Sequence, residues 1–295
     1  MNKFIIGILA LLVLIGGVAV MMFTGDEDSY VKESDESTEL EQPIPVEPDG
    51  GIGDGGEPLP EIENTGNDVE VIGQSVKGTD IKVYNFGTGP NHILIVGGVH
   101  GGYSPNTSDL ANQLINHYES GVENIPENIT LSIIPELNPD GGEMTGSAGR
   151  FNANNVDLNR NFDCEWSATG VWREQKVSGG DKPFSETESV ALKDFVQKIE
   201  PAAAIVLFSA EGKVYPSACE GKPSQASINL ADMYADAAGY QTEAEFDAYA
   251  ITGDMVNWMA KEGFPAISVL LSDHQSTEFN KNLTAVQEIV ANYIE

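Results

Sequence analysis

The run Arg150-Phe151-Asn152-Ala153-Asn154-Asn155-Val156-Asp157-Leu158-Asn159-Arg160-Asn161-Phe162 sets two guanidinium groups among several carboxamides. A guanidinium grips a carboxylate through two parallel hydrogen bonds, and an Asn beside it adds a donor. A lone imidazole, His100, follows Gly97-Gly98-Val99, and a neutral imidazole is a metal ligand or a proton carrier. The turn Asn138-Pro139-Asp140-Gly141 is of a common type. Tyr249 stands before Ile251-Thr252-Gly253-Asp254 and Trp258, and Pro265-Ala266-Ile267-Ser268-Val269 follows.

Those side chains need a scaffold. From residue 69 onward, strand and helix signals alternate. Ile93-Leu94-Ile95-Val96 is a continuous apolar run ended by two glycines, as expected of a strand covered on both faces. Similar short runs predict strands at 69–72, 81–85, 131–134, 202–208 and 266–271. Apolar residues at 110, 111, 114, 115 and 118 recur at helical spacing and predict a helix over 108–118. Further helices are predicted over 185–199, where Ser185 and Glu188 have capping-box spacing, and over 226–238, 254–261 and 277–293. Buried strands separated by helices imply an α/β fold, a mixed but mainly parallel sheet flanked by helices, as a single globular domain over 69–295. In such folds the chemistry sits at the C-terminal ends of the strands. His100, residues 138–141, Phe208, Ser209 and Leu270 all fall there.

Four of these pieces, in this order, resemble the zinc carboxypeptidases, the carboxypeptidase A-like metallopeptidases. They are Gly97 to Gly102, the Asn-Pro-Asp-Gly turn, the loop from Arg150 to Phe162, and the stretch from Tyr249 to Val269. The resemblance implies the family's zinc-carboxypeptidase-like fold and assigns roles. His100 matches the first zinc ligand. The carboxylate ligand expected next falls on Tyr103, or on Ser104 if the loop carries one extra residue. The distant histidine ligand falls on Phe208, and the glutamate that acts as general base falls on Leu270. Arg150 matches the arginine that polarises the scissile carbonyl. Asn159 and Arg160 match the pair that binds the terminal carboxylate, and Tyr249 matches the mobile tyrosine. A catalytic zinc takes about three protein ligands and an open position. The family's cofactor is therefore expected to bind weakly here or not at all, unless Glu211, Asp273 or His274 substitutes.

The rest of the chain bounds where such a domain would act. Residues 4–23 carry no charge, and their helical length of ~30 Å matches a bilayer core. Residues 1–24 are read as an uncleaved transmembrane anchor, with a cleaved signal peptide as the rival reading. Lys3 on the N-terminal flank places the rest of the chain outside the cytoplasm. Residues 25–68 hold 15 Asp and Glu against one Lys and few large apolar groups, the composition of a disordered acidic linker. They carry −14 and Lys3 +1 of the chain's −31, which leaves −18 for residues 69–295. So acidic a domain excludes nucleic acid as a partner. Cys164 and Cys219 lie in the exported part and predict one disulfide, with two buried thiols as the alternative.

The leading expectation is a membrane-anchored, extracytoplasmic carboxypeptidase-like domain that has lost hydrolysis. It would bind C-terminal carboxylates of peptides or peptidoglycan stems. The alternatives are an active metallocarboxypeptidase or amidase with altered zinc ligands, and a structural surface module whose cleft Tyr103, Phe208 and Leu270 have filled.

Overall fold

The computed structural model describes residues 68–293. The anchor over 1–24 and nearly all of the linker over 25–68 lie outside the described residues. Three strands, β1 (Asp68–Gln74), β2 (Asp80–Phe86) and β3 (Asn91–Val96), precede helix α1 (Pro105–Glu119). Next come β4 (Ile129–Ile134), the single turn α2 (Pro139–Gly142) and the hairpin β5 (Thr169–Trp172) and β6 (Gln175–Ser178). Helix α3 (Thr187–Ile199) leads to β7 (Ala203–Ser209), β8 (Lys213–Pro216), α4 (Gln225–Ala238) and β9 (Gln241–Thr242). Last are α5 (Met255–Lys261), β10 (Ala266–Leu271) and α6 (Phe279–Asn292).

The eight-stranded sheet runs β1-β2-β4-β3-β7-β10-β8-β9. Its centre is parallel, from β4 through β3 and β7 to β10; β1–β2, β2–β4 and β10–β8 are antiparallel, and β8–β9 is parallel. Side chains alternate across it with the two-residue period of a strand. Ile93, Ile95, Ile205, Leu207, Ile267 and Val269 pack with α1, α4 and α6 on one face. Leu94, Val96, Val206 and Phe208 pack with α3, α5 and the 156–164 segment on the other. Burial on both faces explains the unbroken apolar runs, and each buried Val, Leu or Ile contributes roughly 1.5–3 kcal/mol. Trp258 of α5 is fully buried, with its ring 5.5 Å from Phe162 and 5.4 Å from Phe184.

Two helix starts differ from the expectation. The first helix begins at Pro105 rather than 108, because a proline fits the first turn, where no N–H partner is needed. The capping box at Ser185 is not formed, and α3 begins at Thr187 without a side-chain cap. Ser185 Oγ instead donates to Glu186, and the Glu188 carboxylate accepts from Val76 N and Asn152 Nδ2. Tertiary partners have outcompeted the local cap. The hairpin β5–β6 and the short strands β8 and β9 had no separate sequence signal. Among the described residues, no helix is long and apolar enough to cross a membrane.

Candidate functional site

Three central strands deliver the site. Beyond the end of β3, Gly98 takes a φ of +62°, and a Cβ there would come within 2.5 Å of Glu136. That close turn aims His100 over the C-terminal edge of the sheet. On β7 and β10, Phe208 and Leu270 are register partners. The Phe208 ring lies 5.4 Å from the His100 ring, and the Tyr103 ring lies 6.4 Å from it. Tyr103 rather than Ser104 therefore faces the imidazole. Ser104 is buried, with its Oγ 3.3 Å from His274 Nδ1.

The loop from Arg150 to Phe162 forms the floor. A short 3-10 helix, Gly146–Arg150, ends on Arg150, and a second, Leu158–Arg160, is capped by Asp157, whose carboxylate accepts from Asn159 N. Asp157 is fully buried and binds Arg150 twice, with Nε and Nη2 each 2.8 Å from Oδ2. Its Oδ1 is 3.3 Å from His100 Nε2, close but not aligned as a hydrogen bond. His100 Nδ1 is 3.4 Å from Arg150 Nη1. Burial and then Arg150 push the His100 pKa down to about 4, so the imidazole is neutral near pH 7. Burial alone would raise the Asp157 carboxyl, but the Arg150 guanidinium and His100 outweigh it and hold the group well below the usual carboxylate range.

Asn159 and Arg160, the pair expected to bind a terminal carboxylate, are more constrained than their residue types suggest. Asn159 Nδ2 donates to Asp254 Oδ2 at 2.8 Å, and its Oδ1 accepts from Met255 N, so the carboxamide ties the loop to the start of α5. Arg160 spends Nε and Nη2 on Val171 O and Nη1 on Asn159 O. Three of its five N–H groups are thus used, and they fix the fork rather than neutralise it. The Tyr249 ring is 5.9 Å from the Arg160 guanidinium carbon and half-buried, and burial raises its phenol pKa. Cys164, just past the loop, is disulfide-bonded to Cys219.

His100, Tyr103, Arg150, Arg160, Phe208, Tyr249 and Leu270 all line one cleft of about 560 Å3. The sequence reading missed Asp157, Trp172 and Arg173. The Trp172 ring is 4.7 Å from the Arg150 guanidinium carbon, and Arg173 Nη2 donates to Tyr103 Oη at 3.2 Å. A signal for Arg173 existed in the composition. The chain has three arginines, Arg150, Arg160 and Arg173, and all three line this cleft.

The donors do not fit a catalytic zinc. His100 turns one nitrogen toward Asp157 and the other toward a guanidinium, and Tyr103, Phe208 and Leu270 add at most a phenol. The substitutes are occupied elsewhere: Glu211 accepts from Tyr215 Oη, Asp273 from the Gln275 and Ser276 amides, and the His274 ring packs tilted against Tyr103 at 4.6 Å. Among the described residues, no group of three His, Cys, Asp or Glu could hold a metal ion.

Residues 65–292 match the family model described as zinc carboxypeptidase. The chain is 33% identical over 153 residues to bacteriocin BCN5 of Clostridium perfringens, covering 48% of this chain and 16% of that protein. It is 30% identical over 159 residues to murein peptide amidase A of Escherichia coli strain K12, covering 48% of this chain and 60% of that protein. The chain thus spans less than two thirds of the length of these curated relatives. The crystal structure of murein-tripeptide amidase MpaA from Escherichia coli O157 superposes with a TM-score of 0.57 at 20% identity, covering 81% of this chain and 96% of that one. At that identity the likeness shows the fold.

Proposed function

The chain belongs to the zinc carboxypeptidase family, and from that premise we propose that it is a non-hydrolytic member, tethered to a membrane and exposed outside the cytoplasm, that holds the C-terminal carboxylate of a peptide or peptidoglycan stem. Zinc is the family's cofactor. One observation carries the reading: the Tyr103 and Phe208 rings flank His100, Leu270 is the register partner of Phe208 in the same cleft, and every arginine of the chain lines that cleft. Without a metal-activated water and without a general base, a step worth 10²–10⁴ in rate from proton transfer alone has no agent. The guanidinium groups and Tyr249 still offer an anion a polar wall. The murein named in the relatives' descriptions supports a stem peptide as the ligand class.

Calorimetry on the full-length chain in detergent micelles tests this, with a stem tripeptide and its C-terminal amide. The free acid is expected to bind, the amide to bind at least about tenfold more weakly, and Arg160→Ala to remove the difference, as for a charge-assisted hydrogen bond worth about 1.5–3 kcal/mol. Equal affinity for acid and amide sinks the binding reading. Chelator-sensitive release of a C-terminal residue from the tripeptide sinks the non-hydrolytic one.

A further inference from the structure

The Arg150 guanidinium is a permanent cation packed against the imidazole that the family would offer to its metal. Its contacts come from separate elements. Asp157 takes Nε and Nη2 at 2.8 Å each. The Trp172 ring of the hairpin lies 4.7 Å from the guanidinium carbon and the Tyr103 ring 5.8 Å from it, both within cation–π reach. Tyr103 is itself held by Arg173 and by the His274 ring. Arg150 is 3% exposed.

The hydrogen-bond chemistry of the pair then has one solution. Arginine carries donors only, so the contact at 3.4 Å makes His100 Nδ1 the acceptor. The ring proton is then on Nε2, which faces the Asp157 carboxylate at 3.3 Å. A neutral imidazole has one lone pair for a metal, and here that lone pair points into a guanidinium. Phe208 covers the ring 5.4 Å away. Like charges repel, so a divalent ion approaching His100 would have to displace Arg150 from its ion pair.

The geometry points to Arg150 as the resident cation of this cleft: its guanidinium occupies the place of a metal at His100, so the site needs no metal and excludes one. The inference goes beyond the carboxylate-binding reading and does not rest on it. The charge at the centre is covalent, and no chelator can remove it.

The test is 15N NMR of the full-length, histidine-labelled chain in micelles, with zinc ions alone as the probe. The expected spectrum at neutral pH shows His100 as the Nε2–H tautomer, with Nδ1 shifts unmoved by one equivalent of zinc. An Nδ1–H tautomer, or a zinc-induced shift of Nδ1, overturns the proposal. A second comparison restores ligands by Tyr103→Glu and Phe208→His, with and without Arg150→Met. Cobalt(II) is expected to bind the triple variant at least about tenfold more tightly than the double variant, as read from its visible absorption. Equal affinities overturn the proposal. These readouts are blind to peptide. A chain that binds peptide acids yet takes zinc at His100 refutes only this inference. One that ignores both zinc and peptide acids refutes only the carboxylate reading.

Discussion

Asp157 organises the cleft floor through three partners at once: Arg150, His100 and the Asn159 amide. A buried carboxylate so paired stays ionised, and the neutral imidazole beside it keeps the local charge near zero. Glu136, just past β4, is the opposite case. Ser108 Oγ donates to its Oε2, its Oε1 is buried without a hydrogen-bond partner, and burial pushes its pKa up to about 7. The folded state therefore binds this proton more tightly than the unfolded chain does. The stability Glu136 confers is fully present below about pH 4.5 and is lost as pH rises through about 7. Glu136→Gln keeps a hydrogen-bond acceptor for Ser108 but does not titrate. Relative to the parent chain, this variant is expected to gain roughly 3 kcal/mol between pH 4.5 and 8, read from denaturant midpoints. Parallel curves for the two proteins across that range count against this account.

At the scale of elements, the floor loop keeps its shape by being pinned at both ends of one crossing. Phe162 N donates to Gly253 O at 3.0 Å, and Gly253 N donates to Cys164 O at 2.8 Å. Gly253 has a φ of +63°, and a Cβ there would lie 2.1 Å from the Arg160 carbonyl oxygen. Backbone lies on that side, so Gly253→Ala must push the Arg160 segment away. An expected loss of about 2–4 kcal/mol combines the φ strain with the clash. Peptide-acid binding should weaken with it. Gly263→Ala is the control, because Gly263 also has a positive φ but nothing within 4 Å. Equal stability losses for the two variants, by chemical denaturation, would refute the clash. The Cys164–Cys219 bridge spans 55 residues and fastens the far side of the same loop, a closure worth about 4 kcal/mol in the chain-entropy account.

Across the whole molecule, charge is segregated: a chain of −31 gathers its three arginines in one cleft. Deleting residues 4–23 is expected to move the chain from the membrane fraction to the soluble fraction. A deleted chain that still sediments with membranes contradicts the anchor. The sequence by itself determined the α/β class and the order of the central strands and helices, because burial on both faces writes itself as unbroken apolar runs and one-faced helices as a 3.6-residue period. The resemblance also pointed to Tyr103, Phe208 and Leu270 as the side chains expected where family chemistry would need donors, and Tyr103 and Phe208 lie beside His100. The short strand β8, the two-residue edge strand β9 and the hairpin carrying Trp172 left little trace, because runs of two to four residues are too short to show a strand period. Tertiary structure alone decided the partners: Asn159 is spent on α5, Arg160 on the Val171 carbonyl, and Arg150 on Asp157 and His100. The physical reason is that a polar side chain is satisfied by whatever group folding brings within about 3 Å, often from distant sequence, and no local pattern encodes that meeting.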